Sequence, residues 1–491
     1  MIINMCIHSI SLSSKTRYGL VALIFLCSCV EKKKEVDNKQ PNVILILADD
    51  LGYGDLSCYG SNEIETPHID GLADDGIKLG NFYASSAVCT PSRAGLLSGK
   101  FPIRYHITRH FTDITDSHLP VSETNLPFMF KNAGYQCAHI GKWHLGGLQE
   151  HEFNARMQGN EDEDPGPLEH GFDHYLAFIE DTIRGALHNE KLLYREGGKY
   201  LVRNDRRIEP NEKHWTEIKV DETISLIEEY NKTNALFFIN LWLDLPHTPY
   251  EPAPEPFLSK YKKRGMDEPQ ANYCSMVSFM DHGIGKIIRL LEELDIRDNT
   301  VVIFFSDNGP SYIGSTGYFK GGKADLHEGG LHVPFIISWP ARLKQDVIRN
   351  DLVATSVDLL PTLADIAGID PTDYSFDGMS LMPFLTGEKE FGGRPPIFFQ
   401  LDLYTWYPQP GEKPKPYATS GLIDGKYKLL LDSIEPVALY DIKSDPSEME
   451  NLLDKNKDVV ESMRDKAIEI LDAPRDRSGR KESCHLSALD L

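Results

Sequence analysis

Two stretches of this chain are apolar from end to end, and each stops on acidic residues. Residues 42–48 read NVILILA and run into Asp49 and Asp50. Residues 301–305 read VVIFF and lead, after Ser306, into Asp307 and Asn308. Apolar runs without alternation predict strands buried on both faces, as in a parallel sheet covered by helices. Residues 235–243, ALFFINLWL, and 333–339, VPFIISW, have the same texture, although Pro334 weakens the second.

Helical patterns lie between these runs. Tyr273, Val277, Met280, Ile284, Ile288, Leu291 and Leu294 recur at steps of three and four, one face of a long amphipathic helix. Residues 355–367 follow the same rule and stop at Gly368, a C-cap residue. The alternation predicts an α/β fold: a doubly wound, mostly parallel central sheet with helices on both faces. Past residue 390 the texture changes. GGRPP (392–396) and PQPGEKPKP (408–416) are turn-rich, and short strand-like pieces follow at 397–401, 417–423 and 426–431. With a helix near 456–471 they predict a small C-terminal domain with a short antiparallel sheet. A chain of 491 residues is too long for one ordinary core. The expected division is a catalytic domain over 41–390 and a C-terminal subdomain over 391–491.

The first 40 residues read as an export segment. Lys15 and Arg17 precede the short apolar run 18–26, YGLVALIFL. Leu26-Cys27-Ser28-Cys29 then resembles a bacterial lipobox with Cys29 as the acylated residue, and 30–40 is a charged tether. A plain secretory signal is the alternative. The expected location is the periplasm or the cell envelope as a lipoprotein, or soluble secretion; membrane attachment would come only through the lipid. The formal net charge of −23 excludes nucleic acid as a natural partner, so any anion site must be a local basic pocket. The remaining cysteines, Cys58, Cys89, Cys137, Cys274 and Cys484, form no CxxC pair, which disfavours zinc and dense disulfides.

Asp49, Asp50, Asp307 and Asn308 follow two strands directly, and sites in open α/β sheets form at that edge. Clustered carboxylates repel unless a cation neutralises them, and oxygen ligands favour Ca²⁺ or Mg²⁺ over zinc. Cys89-Thr90-Pro91-Ser92-Arg93 opens a helix that continues through Ala94, Leu96 and Leu97. Cys89 would therefore sit at a positive helix end with Arg93 one turn on, a setting that suits a reactive anionic group.

At this point the chain resembles the formylglycine-dependent type I sulfatases, members of the alkaline phosphatase superfamily. The C-x-P-S-R hallmark reads CTPSRAGLLSGK here. The resemblance spans roughly residues 41–450. It includes PNVILILADDLGYGDL, GKWHLG (141–146), PHTPY (246–250), SDNG (306–309), GGKADLHEGG (321–330) and LYDIKSDPSEMENL (439–452). It implies that a separate formylglycine-generating enzyme converts Cys89 to formylglycine (3-oxoalanine). It also implies that Asp49, Asp50, Asp307 and Asn308, with the modified Cys89, hold one Ca²⁺. Arg93 would hold the formylglycine. Lys142 and His144, two apart and on one face if the segment is extended, would contact nucleophile and sulfate. His247 and Lys323 would bind sulfate and support the leaving oxygen. In the implied reaction a hydroxyl of the hydrated aldehyde attacks sulfur and displaces the sugar oxygen. The second hydroxyl then expels sulfate.

The expected substrate is a sulfated oligosaccharide or polysaccharide, with algal material such as ulvan or a carrageenan foremost. The alternatives are a phosphate or phosphonate ester hydrolase of the same superfamily and a non-catalytic glycan-binding lipoprotein. Arg104, His106, Arg109 and His110 form a basic cluster for a second anionic group or a solvated surface. Trp406 with Tyr404 and Tyr407 offers a sugar-stacking platform or core packing. His139 reads as core, and the acidic run Glu161 to Asp164 as a solvated loop.

Overall fold

The structure is a computed structural model that describes residues 40–111, 118–122, 124–148, 164–179, 201–209, 213–370, 374–402, 418–475 and 478. The main sheet has ten strands: β1 (Asn42–Ala48), β2 (Ile77–Tyr83), β3 (Gln136–Gly141), β4 (His174–Phe178), β5 (Leu201–Arg203), β6 (Arg206–Arg207), β7 (Phe237–Trp242), β8 (Thr300–Ser306), β9 (Phe335–Ser338) and β10 (Val347–Thr355). Their order is β10-β2-β9-β8-β1-β7-β3-β4-β5-β6. The centre is parallel, with β1 between β8 and β7 and β3 beyond β7. β9 runs antiparallel to both β8 and β2, and it starts only after Pro334, which cannot donate to a ladder.

The helices that shape the site are α1 (Pro67–Asp74), α2 (Cys89–Ser98), α3 (Leu126–Asn132), α4 (Trp215–Thr233), α5 (Glu268–Glu293), α6 (Glu328–Leu331), α7 (Leu359–Ile366) and α8 (Lys457–Asp472). They cover both faces of the sheet, and β1 shows why its sequence is apolar throughout. Val43, Leu45 and Leu47 enter one core with residues of α2, α3 and α7, whereas Ile44, Ile46 and Ala48 enter another with α1, α4 and α5. The long helix begins where Asp267 accepts from the Gln270 amide (3.0 Å) and ends at Leu294. Residues 356–358 form a 3-10 turn ahead of α7, and Gly368, φ 73°, follows its end.

Four antiparallel strands, β11 (Ile397–Gln400), β12 (Ser420–Asp424), β13 (Tyr427–Asp432) and β14 (Glu435–Asp441), form the second sheet, backed by α8. This sheet shares a core with the segments on either side of α2. Ala87, Val88, Phe101 and Ile103 pack with Phe398, Leu429 and Leu430. Trp406, Tyr404 and Tyr407 lie outside the described residues, as do residues 1–39 with Cys29 and the stretch 161–163. Asp164, expected in a solvated loop, is buried and pairs with His118 Nδ1 at 2.9 Å. Among the described residues no helix is long and apolar enough to cross a membrane.

Candidate active site

The registers of β1 with β8 and β7 bring the strand ends together. Ala48 pairs with Ser306, and the Asp307 amide donates to Ala48 O (3.1 Å), so the two acidic pairs emerge side by side. Asp50 turns out of the strand with φ 65°. The Asp50 amide donates to Asp307 Oδ1 (3.2 Å). Asp49, Asp50, Asp307 and Asn308 are all 1% exposed or less.

Cys89 is the first residue of α2, and the whole helix is buried. Its Sγ lies 3.5 Å from Asp49 Oδ1. One turn on, Arg93 is fully enclosed. Its Nε and Nη2 donate to Asp307 Oδ2 (3.1 and 2.7 Å), its Nη1 to Lys142 O (2.9 Å), and Nη2 stands 3.4 Å from Asp49 Oδ1. The guanidinium also lies over the Trp242 ring at 5.1 Å. Lys142 Nζ reaches Asp49 Oδ2 (2.8 Å), and Lys323 Nζ reaches both Asp50 oxygens (2.7 and 2.8 Å). His247 Nε2 is 3.6 Å from Asp50 Oδ2, while its Nδ1 lies 2.5 Å from Thr248 O.

The expected shared face of Lys142 and His144 does not arise from extended backbone. β3 ends at Gly141, and His144 has φ 57°, in the left-handed region. That bend turns the His144 ring so that Nε2 meets Phe111 O (3.0 Å). Gly141 is required at the strand end, because a Cβ there would fall 1.7 Å from Trp242 O. The basic cluster divides. Arg104 is held by Asp377 through two bonds (3.1 and 2.9 Å) and by Ile470 O (3.0 Å), so it braces the fold and is no anion ligand. His110 lies within the field of the site: burial, then the charges of His144, Lys323, Lys142 and Arg109, push its imidazole down to about 3. Ser311, not anticipated from sequence, donates from Oγ to Asp50 Oδ2 (2.7 Å). A lone serine in a loop carries no signal of such a contact. His139 is core, enclosed by Trp143, Phe172 and Trp242. Cys58, Cys137 and Cys274 are free thiols.

The charges are unevenly balanced. Burial would raise Asp49, but Lys142, His247, Arg93 and Lys323 outweigh it and hold the carboxyl well below its ordinary range. At Asp307 burial and the neighbouring Asp49 and Cys89 win over Arg93, and its carboxyl is pushed well up. Burial disfavours the Cys89 thiolate, yet Lys142 and Lys323 bring its pKa below normal. Asp49, Asp50, Cys89 and His247 bring ligand atoms within 4.8 Å of one another. Asp307 and Asn308 join this group through Asp50, with Asn308 Nδ2 2.7 Å from Asp50 Oδ1. Asn308 Oδ1 is buried without a hydrogen-bond partner. Crowded buried carboxylates and an unspent amide oxygen fit a cation-binding site.

Comparison with known proteins agrees with this geometry. The Sulfatase family model matches residues 41–369, and a model described as N-sulphoglucosamine sulphohydrolase, C-terminal, matches residues 314–472. The chain is 33% identical over 384 residues to N-acetylgalactosamine-6-sulfatase of Homo sapiens, covering 74% of this chain and 69% of that protein. Among solved structures it resembles Ps i-CgsB in complex with k-i-k-neocarrahexaose. That match has a TM-score of 0.75 and 23% identity, covering 90% of this chain and 96% of that one. A Bacteroides thetaiotaomicron protein from the metabolism of multiple glycosaminoglycans matches with TM-score 0.70 and 25% identity, covering 89% and 100%. The matching family model and the sulfatase relatives make the chain a sulfuric ester hydrolase. The chain belongs to the sulfatase family.

Proposed function

We propose that the protein releases sulfate from a sulfated carbohydrate, with residue 89 acting as formylglycine beside one Ca²⁺. The observation that carries this reading is the meeting of Asp49, Asp50, Asp307 and Asn308 with Cys89, while Arg93, Lys142 and Lys323 stand among them. Converted to formylglycine, residue 89 would supply the attacking oxygen. A bound divalent cation would neutralise the carboxylates and favour that oxygen's anionic form. Asp49, Asp50, Asp307, Asn308 and residue 89 would hold the ion, with His247 on its border.

The chain's own groups do the rest. Arg93, one turn further along the same helix and anchored on Asp307, brings its charge to bear on residue 89. Lys142 and Lys323 bring positive charge to where sulfate oxygens gather negative charge in the transition state. With Nδ1 donating to Thr248 O, His247 turns Nε2 toward Asp50 Oδ2 in the site (3.6 Å). Burial and Lys323 disfavour its charged form, but Asp50 and Asp49 prevail and raise its pKa, which suits a donor to the departing sugar oxygen. His144, fixed through Nε2 on Phe111 O, is the neighbouring group for a sulfate oxygen.

Short sulfated oligosaccharides fit better than long polyanions, because a net charge of −23 repels the latter. The names of the similar proteins, an N-acetylgalactosamine-6-sulfatase and a complex with a neocarrahexaose, support the carbohydrate class. The test is sulfate release from a panel of chondroitin 6-sulfate, ι-carrageenan, ulvan and heparin oligosaccharides, run beside 4-nitrophenyl phosphate. Phosphate release without sulfate release would overturn the reading in favour of a phosphate esterase. We also propose export, with Cys29 acylated. Cys29→Ala should then move the protein from the membrane fraction to the soluble one, and equal solubility of both forms would leave a plain signal.

A further inference from the structure

The loop of residues 309–322 joins Asn308 to Lys323, so both of its ends lie in the charged site. Its backbone is tied down there. Ser311 Oγ donates to Asp50 Oδ2 (2.7 Å), and Ser311 O accepts from Tyr250 Oη (2.9 Å) and from the Gly314 amide (3.1 Å). Pro310 O accepts from the Lys323 amide (2.9 Å). Between these anchors stands Tyr312, 83% exposed and with φ 39°.

A bulky residue in the left-handed region is a true outlier, and such strain gathers where function demands a fixed side chain. Burial gives no reason for it, since the ring stands in solvent. The other exposed aromatic ring among the described large apolar side chains is Tyr318, 61% exposed and in the same loop. The exposed aliphatic residues, such as Val121, Ile348 and Met449, are scattered along the chain, which is ordinary for a soluble surface. Among the described residues, the exposed aromatic rings both lie in the loop that spans the site.

We propose that Tyr312 is a sugar-stacking residue that carries the pyranose next to the sulfated one. This rests on the sulfated-carbohydrate reading above. The C–H face of a pyranose packs on the negative face of an aromatic ring, and tyrosine offers that area with only two side-chain torsions to order. Consecutive Cα atoms are about 3.8 Å apart, so through Ser311 the Tyr312 Cα lies within roughly 9 Å of the Asp50 carboxylate. One sulfated sugar would occupy that interval.

The test compares KM and kcat for a sulfated oligosaccharide that the parent enzyme cleaves from the panel above and for the matching sulfated monosaccharide. Tyr312→Ala should raise KM for the oligosaccharide about 5- to 20-fold, with kcat and the monosaccharide KM within about twofold of the parent. Tyr312→Phe, which keeps the ring, should match the parent on both. An unchanged oligosaccharide KM in Tyr312→Ala, or an equal rise on both substrates, overturns the stacking role and leaves the sulfatase reading intact. Absence of sulfate release by the parent from every panel member sinks the carbohydrate reading, and the stacking role with it.

Discussion

Arg93 has no exposed surface, yet it touches Asp307, Asp49, the Lys142 carbonyl and the Trp242 ring. A planar fork with several donors can satisfy that many partners at once, and a lysine cannot. Cys89, four residues earlier, is different. It opens its helix beside Asp49 and supports little of the packing, so Cys89→Ala should abolish sulfate release while the unfolding midpoint stays within a few degrees. Turnover by Cys89→Ala would end the proposed mechanism. Chelation should remove activity, and Ca²⁺ should restore it better than Zn²⁺, because carboxylate and amide oxygens dominate the donor set. Metal analysis of active enzyme that finds zinc and no calcium would refute that assignment. Gly141→Ala should cost about 2–4 kcal/mol and displace Lys142, since its Cβ would meet Trp242 O at 1.7 Å in a backbone with φ 117°. The acidic residues were readable in sequence because strand ends declare where they point. Ser311 and the placement of His110 were not, because loop geometry alone brings them in.

Elements are joined by a second charged cluster that does not include Cys89. Glu328 of α6 accepts from Tyr83 Oη of β2 (2.9 Å) and from Lys428 Nζ of β13 (3.0 Å), and pairs with His332 (3.0 Å). Lys428 also pairs with Glu448 (3.0 Å), whose other oxygen accepts the Glu328 amide (2.7 Å). All of these groups are buried. The cluster ties the small sheet to the loop that carries Lys323. Lys428→Met should therefore cost about 3–5 kcal/mol in urea unfolding, by leaving two carboxylates buried without their cation. Adding Glu328→Gln should recover part of that loss, and additive losses would show that the two do not act together. None of this was visible in sequence, since a lysine in a short strand looks like a surface residue. Periodicity found β1, β7, β8 and α5, whose residues are apolar enough to declare burial. It missed β2 through β6, β10 and β14. In β10 the polar Arg349, Asn350 and Asp351 interrupt the pattern, and in β14 exposed positions alternate with half-buried ones before the apolar end.

The molecule as a whole carries several imidazoles that folding keeps neutral. Burial, then the charge of Arg93, lowers His139 to about 3. Burial and Lys219 lower His214 to about 4. Unfolded, such groups titrate near 6.5. Below that pH the unfolded chain takes up protons that the folded chain refuses, so stability is full above about 6.5 and falls as pH drops toward the folded values. Each histidine contributes a slope of about 1.4 kcal/mol per pH unit in that window. His139→Gln, which retains an acceptor for Asn240 Nδ2, should be less acid-sensitive than the parent between pH 6 and 4 when unfolding midpoints are compared. Identical pH profiles would mean that His139 titrates normally. The burial of α2 has a consequence for the order of events in the protein's life. Cys89 is 2% exposed, and the residues just before it are packed against Leu429, Leu430 and Leu431, which are synthesised more than three hundred residues later. On the proposed conversion of Cys89 to formylglycine, the converting enzyme would have to reach the thiol before that part of the chain arrives, an interval on the order of tens of seconds at ordinary rates of synthesis. Under that proposal a molecule that folded first would stay unconverted, and supplying the converting enzyme afterwards should not rescue it unless the chain is first unfolded.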